Sequence, residues 1–241
     1  MRRRSGIVIT TLALLVVGVG YVSASGGRGS AQAASGPELE ELLDPEHTVL
    51  LVHEVLNAFV SEGGTFDMTG RRIDVTGIMD PMVDLLAAAR ANDVRVAYVR
   101  WTSYPDGSTY GRPRQTSNDS APPSTISTHE GTWGWENPEE IKPEGNDWVL
   151  RKYRPDAFIA TALDELLRWN RITTIVIVGV GAEVGVVPTM QTARSLGYRT
   201  VAIKDAIVPT DPARAEDAML YIGDNATLVG HNEVIDTWNK R

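Results

Sequence analysis

The sequence runs VLLVHEVLNAF from residue 49 to residue 59. Four consecutive apolar residues, 49–52, lead directly into His53 and Glu54. An unbroken apolar run, without the alternation of a half-exposed strand, is typical of a strand that is covered on both faces. Ligands of parallel α/β sheets bind beyond the carboxyl ends of the strands. The stretch therefore predicts a buried parallel strand that delivers two titratable side chains to the binding edge of a sheet.

Five further segments have the composition of strands, and helical patterns separate them. The strand segments are 94–99, 148–151, 174–178, 200–203 and 227–229. Helical patterns occupy 81–91, 158–167, 184–196, 211–222 and 233–238. Strands that alternate with helices indicate a parallel sheet with helices on both faces. We therefore predict a three-layer α/β/α fold with a Rossmann-like, mostly parallel sheet of about six strands.

The N-terminus has the pattern of an export signal. Three arginines at 2–4 precede an uncharged apolar run of 16 residues, 7–22, and Ala31-Gln32-Ala33 offers a small-x-small cleavage site. The run is short for the roughly 20 residues of a membrane-spanning helix. We therefore expect a secretory signal peptide at 1–33, with an uncleaved membrane anchor as the alternative. A linker at 34–47 and one exported or secreted domain at 48–241 would follow.

The composition excludes several classes of function. The chain has no cysteine, so a thiol nucleophile, a disulfide and a Cys-ligated metal centre cannot form. Without residues 1–33 it carries 19 basic and 31 acidic residues, a net charge of −12. Such a surface repels phosphate groups, so we expect no nucleic-acid partner, and a membrane only through the N-terminal anchor. The four histidines lack the spacing of a metal pair, and no metal or other cofactor is expected.

Four motifs, in order, resemble those of the isochorismatase-like hydrolase superfamily, also called the cysteine hydrolases. The first is the stretch 49–59, whose acidic residue stands five positions before Phe59. The other three are WVLRKYRPDAF at 148–158, GVGAEVG at 179–185 and KDA at 204–206. The resemblance implies a Rossmann-like fold, a small-molecule substrate and a dimer or larger assembly.

The resemblance also assigns a catalytic triad, and this sequence departs from it. Members that hydrolyse amides use aspartate, lysine and cysteine, and the matching residues here are Glu54, Lys152 and Gly185. A covalent thioester is therefore excluded. True isochorismatases cleave a vinyl ether, need a general acid rather than a nucleophile, and in some cases carry glycine at the cysteine position. His53, directly before the acid, also resembles that branch.

These observations predict an exported hydrolase that acts on a small molecule by general acid/base chemistry. Glu54 would be the acid, and Lys152 would tune it and orient the substrate. The extra methylene of Glu54 moves its carboxylate by about an ångström relative to aspartate, and such a displacement can cost roughly 100-fold in rate. The alternative is a catalytically inactive pseudoenzyme that binds a small molecule or serves as a scaffold, with Glu54 and Lys152 as a structural ion pair.

Six residues are candidates for ligand contacts. They are His53, Phe59, Gly181, Val184, Trp133 and Trp135. The resemblance implies a cis peptide between Val180 and Gly181, followed by an anion-binding nest of backbone N–H groups near Val184 and Gly185. The two tryptophans belong to a long proline-rich segment, 102–146, which is typical of a lid. They either pin this segment to the body or line a pocket.

The glycines of the third motif allow a second interpretation. Gly179, Gly181 and Gly185 follow a strand and precede a helix, as in a dinucleotide-binding turn. That turn normally lies in the first βα unit, whereas this one comes late in the sheet. We therefore prefer a tight turn, for which glycine provides the conformational freedom.

Overall fold

The structure, a computed structural model, describes residues 36–106, 108–110 and 128–240. The predicted signal peptide, 1–33, lies outside these residues. No helix in the described ranges is long and apolar enough to span a membrane.

Six parallel strands form one sheet in the order β3-β2-β1-β4-β5-β6. The strands are β1 Thr48–His53, β2 Arg95–Trp101, β3 Trp148–Lys152, β4 Thr174–Val180, β5 Arg199–Val208 and β6 Thr227–Val229. The chain moves outward from β1 to β2 and β3, and then returns to place β4 on the other side of β1. This reversal makes the carboxyl ends of β1 and β4 the switch point where doubly wound sheets bind ligands. The predicted parallel sheet is confirmed.

Helices cover both faces of the sheet, as predicted for three layers. They are α1 Gly36–Leu42, α2 Asn57–Val60, α3 Thr65–Met68, α4 Met79–Ala91, α5 Leu163–Trp169, α6 Val187–Ser195, α7 Ala215–Asn225 and α8 His231–Asn239. One core cluster packs residues of α1, α4 and α8 against the sheet, and a second packs residues of α5, α6 and α7. The helix predicted from residue 158 begins at Leu163, after the left-handed backbone of Ala160 at φ 56°.

Residues 36–47, predicted as part of a linker, are instead helical and packed on the domain. Leu39 and Leu43 are buried in the first core cluster. The indole Nε1 of Trp238, in α8, donates a hydrogen bond of 3.1 Å to the carbonyl of Leu43. A helix as short as α1 offers only a few apolar positions from which to recognise it in the sequence.

Part of the long proline-rich segment is fixed to the sheet; residues 107 and 111–127 lie outside the described part. Asn137 accepts a hydrogen bond of 2.8 Å from Nε of Arg100 and donates one of 2.7 Å to the carbonyl of Val55. The Nε1 group of Trp135 donates to Oγ1 of Thr102 at 2.9 Å. These bonds hold the segment beside the carboxyl ends of β1 and β2.

Candidate active site

The carboxyl edge of the sheet brings Glu54 and Lys152 together across the end of β2. Glu54 directly follows β1 and has left-handed backbone at φ 54°, which is uncommon for a residue with a side chain. Lys152 is the last residue of β3, two strands away. Its Nζ lies 2.6 Å from Oε1 of Glu54 and 5.5 Å from the ring centroid of Trp101, at the end of β2. Backbone strain at such a position is characteristic of functional sites.

The lysine is held by backbone as well as by the carboxylate. Its Nζ donates hydrogen bonds to the carbonyls of Pro155 at 2.7 Å and Arg154 at 3.2 Å. The side chain is fully buried. These two hydrogen bonds and the 2.6 Å contact with Oε1 of Glu54 fix the position of the charge.

Burial and the lysine act on Glu54 in opposite directions. Removal of the carboxyl from water raises the pKa of Glu54, and this effect exceeds the lowering caused by the charge and hydrogen bond of Lys152. Glu54 therefore holds a proton at a higher pH than an exposed glutamate does. A carboxyl with a raised pKa is better suited to donate a proton than an exposed glutamate at the same pH.

His53 is buried beside the acid and is neutral. Its Nδ1 lies 3.0 Å from the carbonyl oxygen of Val180, at the end of β4. Burial first, and then the positive charge of Lys152, hold the pKa of His53 well below its usual value, while carbonyl contacts including Val180 oppose the shift. The carbonyl can only accept, so the proton of the neutral ring belongs on Nδ1. Nε2 is buried and has no hydrogen-bond partner among the residues that the structure describes.

The imidazole also occupies the space next to residue 185. A Cβ atom built on Gly185 would lie 2.1 Å from Cε1 of His53 and 2.8 Å from its Nε2. No side chain fits at that distance. The ring of His53 therefore fills the place toward which a side chain at the triad's third position would point.

The glycine-rich turn does not form the predicted anion-binding nest. Gly181 has left-handed backbone at φ 76° and precedes a π-helical turn, Ala182–Val186. The N–H groups of Val184, Gly185 and Val186 all donate to the Gly181 carbonyl, at 2.8 to 3.1 Å. The groups expected to bind an anion are thus already bonded. The Val180–Gly181 peptide is trans, contrary to the expectation of a cis bond.

The other residues predicted to contact a ligand lie outside the cluster formed by Glu54, Lys152, His53 and Gly185. Phe59 is buried in the first core cluster and packs against Phe66, with ring centroids 4.8 Å apart. Trp135 is also buried, under the guanidinium of Arg100. Trp133 and Val184 have exposed side chains. Of the predicted residues, Glu54, Lys152, His53 and Gly185 lie in one cluster.

The chain matches the isochorismatase domain model over residues 48–233. It belongs to the isochorismatase family. A protein named ureidoacrylate amidohydrolase RutB, from Methylorubrum extorquens, is 28% identical over 212 residues, which cover 83% of this chain and 85% of that protein. Its counterpart from Pantoea ananatis is 30% identical over 190 residues, 73% of this chain and 75% of the relative.

Solved structures of the isochorismatase fold agree with the sheet described above. A cysteine hydrolase from Pseudomonas syringae superposes with a TM-score of 0.72 at 25% identity, covering 82% of this chain and 94% of that one. N-carbamoylsarcosine amidase from Thermoplasma acidophilum gives a TM-score of 0.59 at 26% identity, covering 77% and 96%. The resemblance inferred from the four motifs is confirmed at the level of the family.

The structure of this isochorismatase-family member adds residues to which the sequence analysis gave no role in the site. Trp101 lies under the ammonium of Lys152. Tyr153, the next residue after the lysine, packs against Tyr104 with ring centroids 5.6 Å apart. Their position after the ends of β2 and β3 was a usable signal, because such positions surround the binding edge. In the described ranges, no group of three or more histidine and carboxylate side chains could hold a metal ion.

Proposed function

We propose that this protein is an exported hydrolase of small molecules that works by general acid/base chemistry, without a covalent intermediate. One observation carries the proposal. A buried glutamate and a buried lysine, 2.6 Å apart, meet at the switch point of the sheet, where the neighbouring position 185 has no side chain. The bond to be cleaved is the C–N bond of an amide or ureide, or the C–O bond of an enol ether. The names of the relatives support the first class.

Glu54 acts as the proton donor in this proposal. Its raised pKa keeps a fraction of the carboxyl protonated at pH values where an exposed glutamate is fully ionised. The proton goes to the leaving nitrogen of an amide, or to the vinyl carbon of an enol ether. Either transfer leaves a carboxylate 2.6 Å from the ammonium of Lys152, which stabilises the new charge.

Lys152 serves as a fixed countercharge rather than as a nucleophile. The carbonyls of Pro155 and Arg154 hold its ammonium in place, so no reorganisation is needed when the glutamate ionises. Glu54 becomes negatively charged only when it gives up its proton. The fixed positive charge beside it therefore favours the products of the proton transfer. Loss of either partner should therefore impair the reaction.

Export is the second part of the proposal, and it rests on the sequence of residues 1–33. The measurement is the intact mass of the full-length gene product recovered from outside the cells of an expressing bacterium. A protein that begins after Ala33 supports a cleaved signal peptide. A protein that is retained in the cytoplasm with its N-terminus intact contradicts export.

Turnover tests the chemistry. The purified protein is assayed against a panel of enol ethers, including isochorismate, and of small amides, imides and ureides, including ureidoacrylate. Glu54→Gln and Lys152→Met are assayed in parallel. The exposed ion pair of Glu139 and Lys142 provides the controls Glu139→Gln and Lys142→Met. We expect turnover of at least one compound that both site variants lose and both controls keep.

The alternative, a binding protein without activity, is favoured by one feature of the site. The His53 ring fills the space beside residue 185 instead of leaving it vacant. A well-folded parent protein that binds members of the panel but turns over none of them would establish this alternative. Turnover that depends on Glu54 excludes it.

A further inference from the structure

The Nε2 atom of His53 has no role in the acid/base pair formed by Glu54 and Lys152. The residue is completely buried, and its Nε2 has no hydrogen-bond partner in the described structure. A buried acceptor without a partner is unfavourable, and most buried polar atoms find one. In native proteins such an atom calls for a specific explanation, among them a catalytic role or an unseen bound molecule.

The protonation of the ring defines what this atom can bind. Nδ1 donates to the Val180 carbonyl at 3.0 Å, and this bond consumes the single proton of the neutral ring. Burial and the nearby Lys152 disfavour a second proton. In this tautomer Nε2 carries a lone pair, which can accept a hydrogen bond from an O–H or N–H group.

The Nε2 lone pair and the acid Glu54 lie close together in the structure. The Nε2 atom faces Gly185, since a Cβ there would stand only 2.8 Å from it. Glu54 is the next residue in the chain, and its Oε2 lies 4.0 Å from the Nδ1 side of the same ring. A proton donor and a proton acceptor thus stand on consecutive residues at the end of one strand.

We propose that Nε2 of His53 accepts a hydrogen bond from the hydrolytic water and directs its oxygen to the substrate. This inference deepens the proposed function and rests on it. A hydrolase without a thiol must deliver the oxygen nucleophile as water, and the imidazole takes the space beside the triad's third position. His53 is then a catalytic residue because it touches the reacting water.

The step balances without any further reactant. The water oxygen forms a bond to the electrophilic carbon, and one water proton passes to Nε2. With an amide, Glu54 gives its proton to the leaving nitrogen as the C–N bond breaks. With an enol ether, Glu54 gives its proton to the vinyl carbon, and the second water proton passes to the ether oxygen as the C–O bond breaks and the product carbonyl forms. The short-lived imidazolium, which burial and Lys152 disfavour, returns its proton to the Glu54 carboxylate through solvent. Both side chains regain their starting states.

Nitrogen NMR of the resting protein tests the first requirement and needs no substrate. The parent protein is labelled with ¹⁵N-histidine, and the His53 signals are assigned by their loss in His53→Gln. We expect a protonated Nδ1 and an unprotonated Nε2 across the neutral range. A proton on Nε2, or a doubly protonated ring at neutral pH, overturns the inference, because the lone pair would be occupied.

Kinetics of the full-length protein test the second requirement, on whichever panel compound is hydrolysed. His53→Leu removes the acceptor, whereas His53→Gln places an amide oxygen near the former Nε2. We expect His53→Leu to lower kcat by about 100-fold or more with KM changed less than about threefold, and His53→Gln to recover part of the loss. His47→Gln is the control, because His47 also bonds a backbone carbonyl but precedes β1 at the opposite end of the strand.

The outcomes separate the inference from the function on which it rests. If Glu54→Gln keeps full turnover, the proposed function fails. If Glu54→Gln abolishes turnover but a folded His53→Leu equals the parent, only the role of His53 fails. A raised KM at unchanged kcat in His53→Leu also overturns the inference, because it would assign His53 to substrate binding instead of to water.

Discussion

The imidazole of His53 and the α-carbon of Gly185 are in direct contact, and each residue determines what the other can be. A Cβ at position 185 would stand 2.1 Å from Cε1 and 3.2 Å from Nδ1 of the ring. The ring itself is held by the 3.0 Å hydrogen bond from Nδ1 to Val180. A side chain such as cysteine therefore does not fit at position 185 while His53 keeps this place, so His53 and Gly185 form one structural unit.

Gly185→Ala tests this contact through stability. The added methyl group must displace the ring or the turn, and overpacking of this kind typically costs about 1–3 kcal/mol. We expect a loss of that order in the free energy of unfolding, measured by denaturant titration. The cost should be smaller in a His53→Ala background, where the ring is gone.

The matched control is Gly223→Ala, in α7. There a Cβ would meet its nearest neighbour, Cδ2 of Leu228, at an ordinary 3.5 Å. We expect this change to be neutral or slightly stabilising, because alanine restricts the unfolded chain. Equal costs of Gly185→Ala with and without His53 would show that the two residues are not coupled.

Lys152→Met tests the buried ion pair. At a pH above the folded pKa of Glu54, where the pair is ionised, the substitution leaves the Glu54 carboxylate buried without its countercharge, and breaking a buried pair in this way costs about 3–5 kcal/mol. Denaturant unfolding should therefore give a large loss. Glu54→Gln combined with Lys152→Met should recover part of it, since no charge then remains in the pair.

The exposed pair formed by Glu139 and Lys142 is the reference for this prediction. Lys142→Met should change the unfolding free energy by less than about 0.5 kcal/mol. A loss for Lys152→Met as small as that for Lys142→Met would contradict the buried arrangement.

The pH dependence of stability should reveal the protonated form of Glu54. Burial raises the pKa of this carboxyl above its unfolded value, so the folded state binds the proton more tightly. The resulting stabilisation is complete below the unfolded pKa and is lost as the pH rises through the folded pKa. We expect the unfolding free energy of the parent, relative to Glu54→Gln, to fall with rising pH. A difference that stays constant from acid to neutral pH would contradict the raised pKa.

Asp205 should change stability with pH in the direction opposite to that of Glu54. Burial alone would raise the pKa of Asp205, but hydrogen bonds from the ring and the backbone N–H of His231, at 2.7 and 2.9 Å, lower it below its usual value. Its stabilisation is present above the unfolded pKa and is lost as the pH falls. The side chain is 39% exposed, so we expect at most about 1 kcal/mol.

Comparison of the parent with Asp205→Asn over the acid range measures this effect. The advantage of the parent should shrink as the pH drops toward and below the lowered pKa. An advantage that grows on acidification would show that the contact with His231 does not stabilise the carboxylate. The hydrogen bonds of Asp205 are to His231, in α8, so we expect its pH effect to be measurable independently of that of Glu54.

The fold was predictable because its signals are local. The apolar run before His53 shows no alternation, and β1 is buried along its whole length. The glycine-rich turn was also recognisable, but its hydrogen bonds were not. The convergence of three N–H groups on the Gly181 carbonyl depends on a π-helical turn that residue types alone do not specify.

The sequence predicted the pair at the centre of the candidate site, Glu54 and Lys152, but not the geometry of that pair or most of the residues around it. The order of the motifs predicted that Glu54 and Lys152 lie at one edge of the sheet. The distance between them depends on the contact of the Lys152 ammonium with the Trp101 ring, which the sequence does not specify. The contact between His53 and Gly185 joins residues that are 132 positions apart in the sequence. A single sequence contains no signal for such a contact, because packing arises only when β1 and β4 pair.

The most direct test of the central claim is the effect of Glu54→Gln on kcat/KM for a compound that the parent hydrolyses. The protein has no cysteine, and the proposed function assigns catalysis to the acid and its neighbours instead. We predict a loss of about 10²–10⁴-fold for Glu54→Gln, the range of general acid catalysis, and no change for Glu139→Gln. Equal kcat/KM for the parent and a folded Glu54→Gln protein would contradict the claim that this glutamate carries the reaction.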